Sequence, residues 1–217
     1  METHPAHPAP TRLQTLAQRR LITPSRIVNA RGNVTLPTES PPEGGDLNRQ
    51  RCSDYKQNLR HFLLTSRFNN QTWSENCRYR DTHKQIKCIY CSPDPISRDI
   101  PVDAVTFVLE MNNDTNKIIG IGMIINHSQI NRYRVYSEGN YNRYNYVGKG
   151  RIDRTQMTAD EERIMKVFDI LCFTGNTHMK RGQGLKLFPV DMLYRCSVKL
   201  DLVEFVSEMF KNRLLHQ

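Results

Sequence analysis

Val105-Thr-Phe-Val-Leu-Glu-Met111 and Lys117-Ile-Ile-Gly-Ile-Gly-Met-Ile-Ile125, joined by Asn112-Asn-Asp-Thr-Asn116, decide the fold class of this chain. Two apolar runs separated by a turn of Asn, Asp and Thr read as a β-hairpin. Both runs are apolar at nearly every position, so the hairpin is expected at the centre of a sheet covered on both sides. Gly120 and Gly122 share one face, where something packs close to the backbone. Glu110, set among apolar groups, reads as a strand-edge partner for an arginine.

Around the hairpin the sequence supplies helices. Thr158-Ala-Asp-Glu161 is a capping box, and Ile164, Val167, Phe168 and Leu171 follow on one stripe. A second box, Asp201-Leu-Val-Glu204, opens a C-terminal helix with Val203, Val206, Phe210 and Leu214 inward, and Lys211 and Arg213 near its end suit the macrodipole. Asp54 is expected to cap a further helix that carries Leu59, Phe62 and Leu63 and ends near Arg67. Trp73 is then expected in a polar loop. The prediction is a single α+β domain over residues 52–217, with a mixed or curved β-sheet flanked by helices. Residues 1–51 are proline-rich and basic, with too few large apolar groups to offset ordering entropy, and read as a disordered arm.

Composition narrows the partner. The chain has 217 residues, with 31 Lys and Arg against 22 Asp and Glu, and a formal net charge of +9. Such an excess suits a polyanion, nucleic acid above all, either DNA or RNA. There is no eighteen-residue apolar run and no apolar signal core at the start, so the expectation is an intracellular protein without a membrane partner. Six cysteines in such a chain argue for thiols or a metal rather than a disulfide frame. Cys77, His83, Cys88 and Cys91 offer a set of four tetrahedral zinc ligands. The competing reading makes Ile86 to Tyr90 a strand that buries its cysteines.

Two stretches carry the binding chemistry. From Arg132 to Arg154, five tyrosines (Tyr133, Tyr136, Tyr141, Tyr144, Tyr146) interleave with Arg132, Arg134, Arg143, Lys149, Arg151 and Arg154. Aromatic and basic side chains mixed in strand-like segments describe a stacking platform beside a phosphate track. In Tyr141 to Val147, period two puts Tyr144 and Tyr146 on one face, with Arg143 and Asn145 on the other. The second stretch, Phe173 to Leu185, places His178, Lys180 and Arg181 beside Gly182 and Gly184. Glycines flanked by cations make an anion cradle in which backbone amides approach the ligand.

Resemblances add two expectations. Arg181-Gly-Gln-Gly184-Leu185 resembles the acetyl-coenzyme A pyrophosphate loop of GNAT acetyltransferases, which follows a strand and opens a helix. That resemblance implies Asp169 to Phe173 as the strand, Gly182 to Leu185 as the pyrophosphate cradle and Tyr194 as a general acid for N-acetyl transfer. The blocks Phe107-Val-Leu-Glu-Met-Asn-Asn113, Ile119-Gly-Ile-Gly-Met-Ile124, Asn140-Tyr-Asn-Arg-Tyr144, Arg151-Ile-Asp-Arg154 and His178-Met-Lys-Arg-Gly-Gln-Gly-Leu185 resemble an uncharacterised family of nucleocytoplasmic large DNA viruses. That likeness implies a viral protein of the host nucleus or cytoplasmic viral factory, with a virion structural or interaction role as one alternative. The hairpin followed by basic, aromatic strands is also similar to PUA-like modules of the EVE and YTH kind, which bind RNA or modified bases; a barrel would then replace the open sheet.

No phosphate loop of the Gly-x-x-x-x-Gly-Lys-Ser/Thr type, no Gly-x-Ser-x-Gly and no His-Glu-x-x-His occurs. The favoured expectation is therefore non-catalytic nucleic-acid binding without a cofactor. Arg143, Lys149, Arg151, Lys180 and Arg181 would contact phosphates, Tyr144 and Tyr146 would stack on bases, and His178, Gly182 and Gly184 would complete the turn.

Overall fold

The computed structural model describes residues 45–214 and has an α+β architecture. Five helices, α1 (Gly45–Gln57), α2 (Asn70–Thr82), α3 (Ala159–Phe173), α4 (Val190–Ser197) and α5 (Leu202–Leu214), accompany eight strands among the described residues. The strands are β1 (Phe62–Phe68), β2 (Cys88–Ser92), β3 (Val105–Asn112), β4 (Lys117–Ile125), β5 (Gln129–Ile130), β6 (Tyr144–Gly148), β7 (Gly150–Asp153) and β8 (Leu185–Leu187). They form a five-stranded sheet of order β7-β4-β3-β1-β8 and a three-stranded sheet of order β2-β6-β5. No helix of the described residues is long and apolar enough to cross a membrane.

The hairpin lies where its composition requires. β3 is the middle strand of the larger sheet and is buried along nearly its whole length. One face of that sheet packs Leu63, Phe107, Leu109 and Ile121 against α3 and α5, through Ile164, Phe168, Val206 and Phe210. The other face packs Leu64, Phe68, Val108 and Ile124 against the smaller sheet, through Ile89, Tyr90 and Tyr146. Gly122 is the point of closest approach. A methyl group there would overlap the Tyr90 hydroxyl and lie 2.9 Å from the Cys88 sulfur. Both capping boxes read from sequence mark helix starts: Thr158 and Glu161 bond reciprocally, and Asp201 Oδ1 accepts from the amides of Val203 and Glu204; Asp54, expected as a third cap, lies inside α1.

Several expectations are corrected. Phe62 to Arg67 is not the end of a helix; it is β1, parallel to β3, with Leu63 and Leu64 facing opposite cores. Burial on both faces, rather than a helical stripe, explains its run of apolar residues. Trp73 is in helix α2, not a loop, and α1 begins at Gly45, within the segment read as a disordered arm. The rest of that arm lies outside the described residues. Glu110 is on the central strand rather than an edge, although its partner is indeed an arginine, Arg151.

Candidate nucleic-acid interface

The parallel pair β1 and β3 ends at Phe68 and Asn112, and the chain turns there into α2 and the hairpin loop. Crevices form at the carboxyl ends of parallel strands because the connections splay apart. A cleft of about 360 Å³ opens at this point. Its walls include Ser66 and Arg67 from β1, Thr72 and Glu75 from α2, and Asn113 from the hairpin turn. Tyr136 and Tyr141 close it from the tyrosine-rich segment, and Gly182, Gln183 and Gly184 from the turn before β8. A smaller hollow of about 210 Å³ adjoins it, sharing Glu138, Tyr141 and Gln183 and adding Arg143.

The glycine turn is held against the smaller sheet by contact rather than by charge. Gly184 has a φ of +62°, and a side chain there would collide with the Ser92 hydroxyl. Only glycine lets the turn meet the end of β2 while keeping that backbone conformation. Ser92 is paired with Tyr144 in the β2–β6 ladder, so the turn and the start of β6 are neighbours. Gly182, at φ +104°, lies beside the Arg67 guanidinium.

The expected residues separate into groups. Gly182, Gly184 and Arg143 line the paired hollows. Arg181 is exposed and Lys180 half-exposed on the same turn, where the Lys180 carbonyl accepts from Asn113 Nδ2 at 3.1 Å. Arg143 does not sit across the strand from Tyr144. It precedes β6 and folds its guanidinium over the Tyr144 ring, 5.3 Å from the centroid. His178 is half-buried, with Nδ1 enclosed and unpartnered.

The remaining expectations fail on burial or distance. Tyr146 is only 1% exposed, and its hydroxyl accepts from the Ile96 amide at 2.9 Å, so no base can stack on it. Burial on the inter-sheet face, which period two alone does not reveal, is the reason. Arg151 is consumed by Glu110 and Asp153 and stands 5.3 Å from the Trp73 ring centroid. Lys149 is exposed at the far end of β6, about 20 Å along the strand from Arg143. A single groove holding Tyr144, Arg151 and Arg181 is therefore not formed.

The zinc set is not assembled either. Cys88 and Cys91 are three residues apart in an extended strand, so their side chains leave opposite faces. Burial pushes each thiol up to about 12, away from the thiolate that a metal needs. His83 stacks on Tyr79, with ring centroids 4.1 Å apart, and Cys77 accepts from Arg80. No cluster of three His, Cys, Asp or Glu among the described residues is placed to hold a metal ion.

The acetyl-coenzyme A expectation meets a reversed order of elements. Asp169 to Phe173 is the last part of helix α3, and the Gly182 turn opens strand β8. A pyrophosphate loop of the GNAT type needs a strand before it and a helix after it; α4 begins only at Val190, beyond Pro189.

Sequence reading missed Arg67, Asn113 and Glu75, and it used Tyr141 only as one of five tyrosines. Arg67 was hidden by the helical reading of β1. Asn113 was absorbed by turn chemistry. No protein-family model, no curated protein and no solved structure matches this chain.

Proposed function

We propose that this protein binds single-stranded nucleic acid without catalysis, across the cleft between the Tyr141–Tyr144 segment and the Lys180–Gly184 turn. The observation that carries the reading is convergence: Arg143 and Tyr141 from one basic stretch, and Gly182 to Gly184 from another, line two adjoining hollows. Arg143 lines the smaller hollow, and Arg181 is exposed on the turn next to Gly182, so both are open to phosphates. Tyr141, half-exposed and set edge-on to Tyr136 at 6.4 Å, offers a ring face to a base. Hollows of about 210 and 360 Å³ match single nucleotides, which suits an unstacked strand. The net charge of +9 supports a polyanionic partner.

Titration of a fluorescent single-stranded oligonucleotide at rising salt tests this. Affinity is expected to fall steeply with salt, because each phosphate contact releases counterions. Arg143→Ala with Arg181→Ala is expected to reduce both affinity and the salt slope, by about one unit per lost contact. Salt-independent binding, or none, would remove the reading.

A further inference from the structure

Arg67 is a cation with an unmet donor. Its Nε donates to the Met179 carbonyl, which fixes the direction of the guanidinium fork. Nη1 is sealed from solvent and has no hydrogen-bond partner. Among the described residues no carboxylate answers its charge; burial lowers its pKa, and only the Cys172 thiol acts the other way. A partly buried guanidinium with no counter-charge is unfavourable, and an anion at its cleft-facing side answers that charge. The group also faces a cleft rather than a packed core.

The cleft is polar in a directed sense. At the Arg67 end are the guanidinium and the open turn at Gly182. At the other end are Glu75, held by the Ser137 hydroxyl at 2.8 Å, and Glu138, beside the Tyr141 ring. An anion is drawn to the first end and repelled from the second. A planar fork with free N–H groups matches the oxygens of a phosphoryl group better than a point charge does. The volume of about 360 Å³ accommodates one nucleotide.

Resting on the nucleic-acid reading above, we infer that the cleft seats a single nucleotide, its phosphate on the cleft-facing side of the Arg67 guanidinium at the Gly182 turn and its base against Tyr141. Arg143 and Arg181 then hold the flanking phosphates at the rim, and Arg67 holds the one that is taken inside.

The test compares adenosine, adenosine monophosphate and inorganic phosphate on the full chain, read by melting temperature and by fluorescence of Trp73, the sole tryptophan, which packs edge-on against the cleft-lining Phe68. Adenosine monophosphate is expected to stabilise the protein at millimolar concentration, through linkage. Adenosine and phosphate alone are expected to bind about tenfold more weakly or less. Arg67→Lys keeps the charge and loses the fork, and is expected to weaken the monophosphate about tenfold. Because Arg67→Lys also removes the bond to Met179, Gln183→Glu provides a second variant at an exposed position of the turn; its added charge is expected to weaken the monophosphate but not adenosine. Equal binding of adenosine and its monophosphate, or no effect of either variant, overturns the inference. An oligonucleotide that binds while the monophosphate does not also overturns it and leaves the surface reading standing. A monophosphate that binds while oligonucleotides do not supports the Arg67 site and removes the nucleic-acid reading instead.

Discussion

Arg151 on β7 and Glu110 on β3 form a bidentate pair that bridges β4 in the larger sheet, with Nη2 2.7 Å from Oε2 and Nε 3.0 Å from Oε1. The Tyr90 hydroxyl donates to the same Oε1 at 2.8 Å, and Arg151 Nη1 reaches Asp153 at 2.9 Å. A carboxylate that is 1% exposed is thus fully answered. This is what became of an arginine that composition alone assigns to phosphate. The pair sits over Gly120, where a methyl would lie 2.6 Å from Glu110 Oε2 and 2.7 Å from Arg151 Nη2.

Arg151→Ala is accordingly a stability variant. Removing one member of a buried pair leaves the other charge uncompensated, at a cost of about 3–5 kcal/mol. Urea denaturation is expected to show a loss of that order, while oligonucleotide affinity of the folded protein stays at the parental level. Unchanged stability with weakened binding would return Arg151 to the binding surface.

Gly122→Ala is expected to be worse than Gly120→Ala. At Gly120 the obstructing atoms belong to two side chains and to the Ile152 carbonyl, 3.0 Å away. At Gly122 the obstruction is the fully buried Tyr90 ring between the sheets, with Cys88 next to it. Overpacking of this kind costs about 1–3 kcal/mol where neighbours relax, and Tyr90 has nowhere to go. Thermal melting of the two variants side by side checks the order.

These positions also mark how far sequence reaches. The two glycines on one face of an apolar strand announced a close neighbour, and Thr158 and Asp201 announced helix starts, because those signals are local. β1 was misread because Phe62-Leu-Leu-Thr-Ser-Arg-Phe68 is buried on both faces, and a run apolar on all sides looks alike in strand and helix. The cleft was half legible. Its glycine turn and tyrosine segment stand out by composition, but which tyrosines point inward depends on inter-sheet packing. Arg67 gains its meaning only from β8 and the Met179 carbonyl, more than a hundred residues away.

Acid should weaken the fold while leaving the cationic surface charged. Glu162 has its carboxyl held below the ordinary 4.5 chiefly by its hydrogen bonds from Arg154. For Glu161 burial pulls upward, but the bidentate bonds from Arg213 at 2.7 Å and the Thr158 amide win, and its pKa is lowered too. A carboxylate with a depressed folded-state pKa contributes stability that is present above its unfolded value and lost as pH falls through the folded one. Stability is therefore expected to hold at neutral pH and fall progressively below about pH 4.5. Arg213→Gln should flatten that decline, as measured by urea midpoints across the acid range.

The six cysteines should divide into two and four. Cys52 and Cys77 are partly exposed, whereas Cys88, Cys91, Cys172 and Cys196 are buried, with thiols pushed up to about 11 to 12 by desolvation. Thiol reagents attack the thiolate, so burial acts twice, by access and by ionisation. A chromogenic disulfide at neutral pH is expected to titrate two groups quickly and the other four only in denaturant. Fast reaction of Cys88, which faces Gly122 between the sheets, would mean that the sheets open in solution.

The tyrosines provide the sharpest separation of binding from structure. Tyr146→Phe removes the acceptor of the Ile96 amide, a buried donor, and is expected to cost about 1–3 kcal/mol without altering affinity. Tyr141→Ala removes a half-exposed ring that lines both hollows, and base stacking is worth about 1–3 kcal/mol per ring, so affinity should fall roughly five- to a hundredfold. Tyr144 lies between these cases: its ring is covered by Arg143, so Tyr144→Ala frees a guanidinium that is still able to reach phosphate. Its expected loss is smaller than that of Tyr141→Ala, and Tyr144→Phe should be neutral. Measuring all four variants by fluorescence anisotropy against one oligonucleotide at fixed salt, alongside their urea midpoints, orders them. If Tyr146→Phe weakened binding as much as Tyr141→Ala did, the strand would be contacting the inter-sheet face after all, and the cleft would not be where it enters.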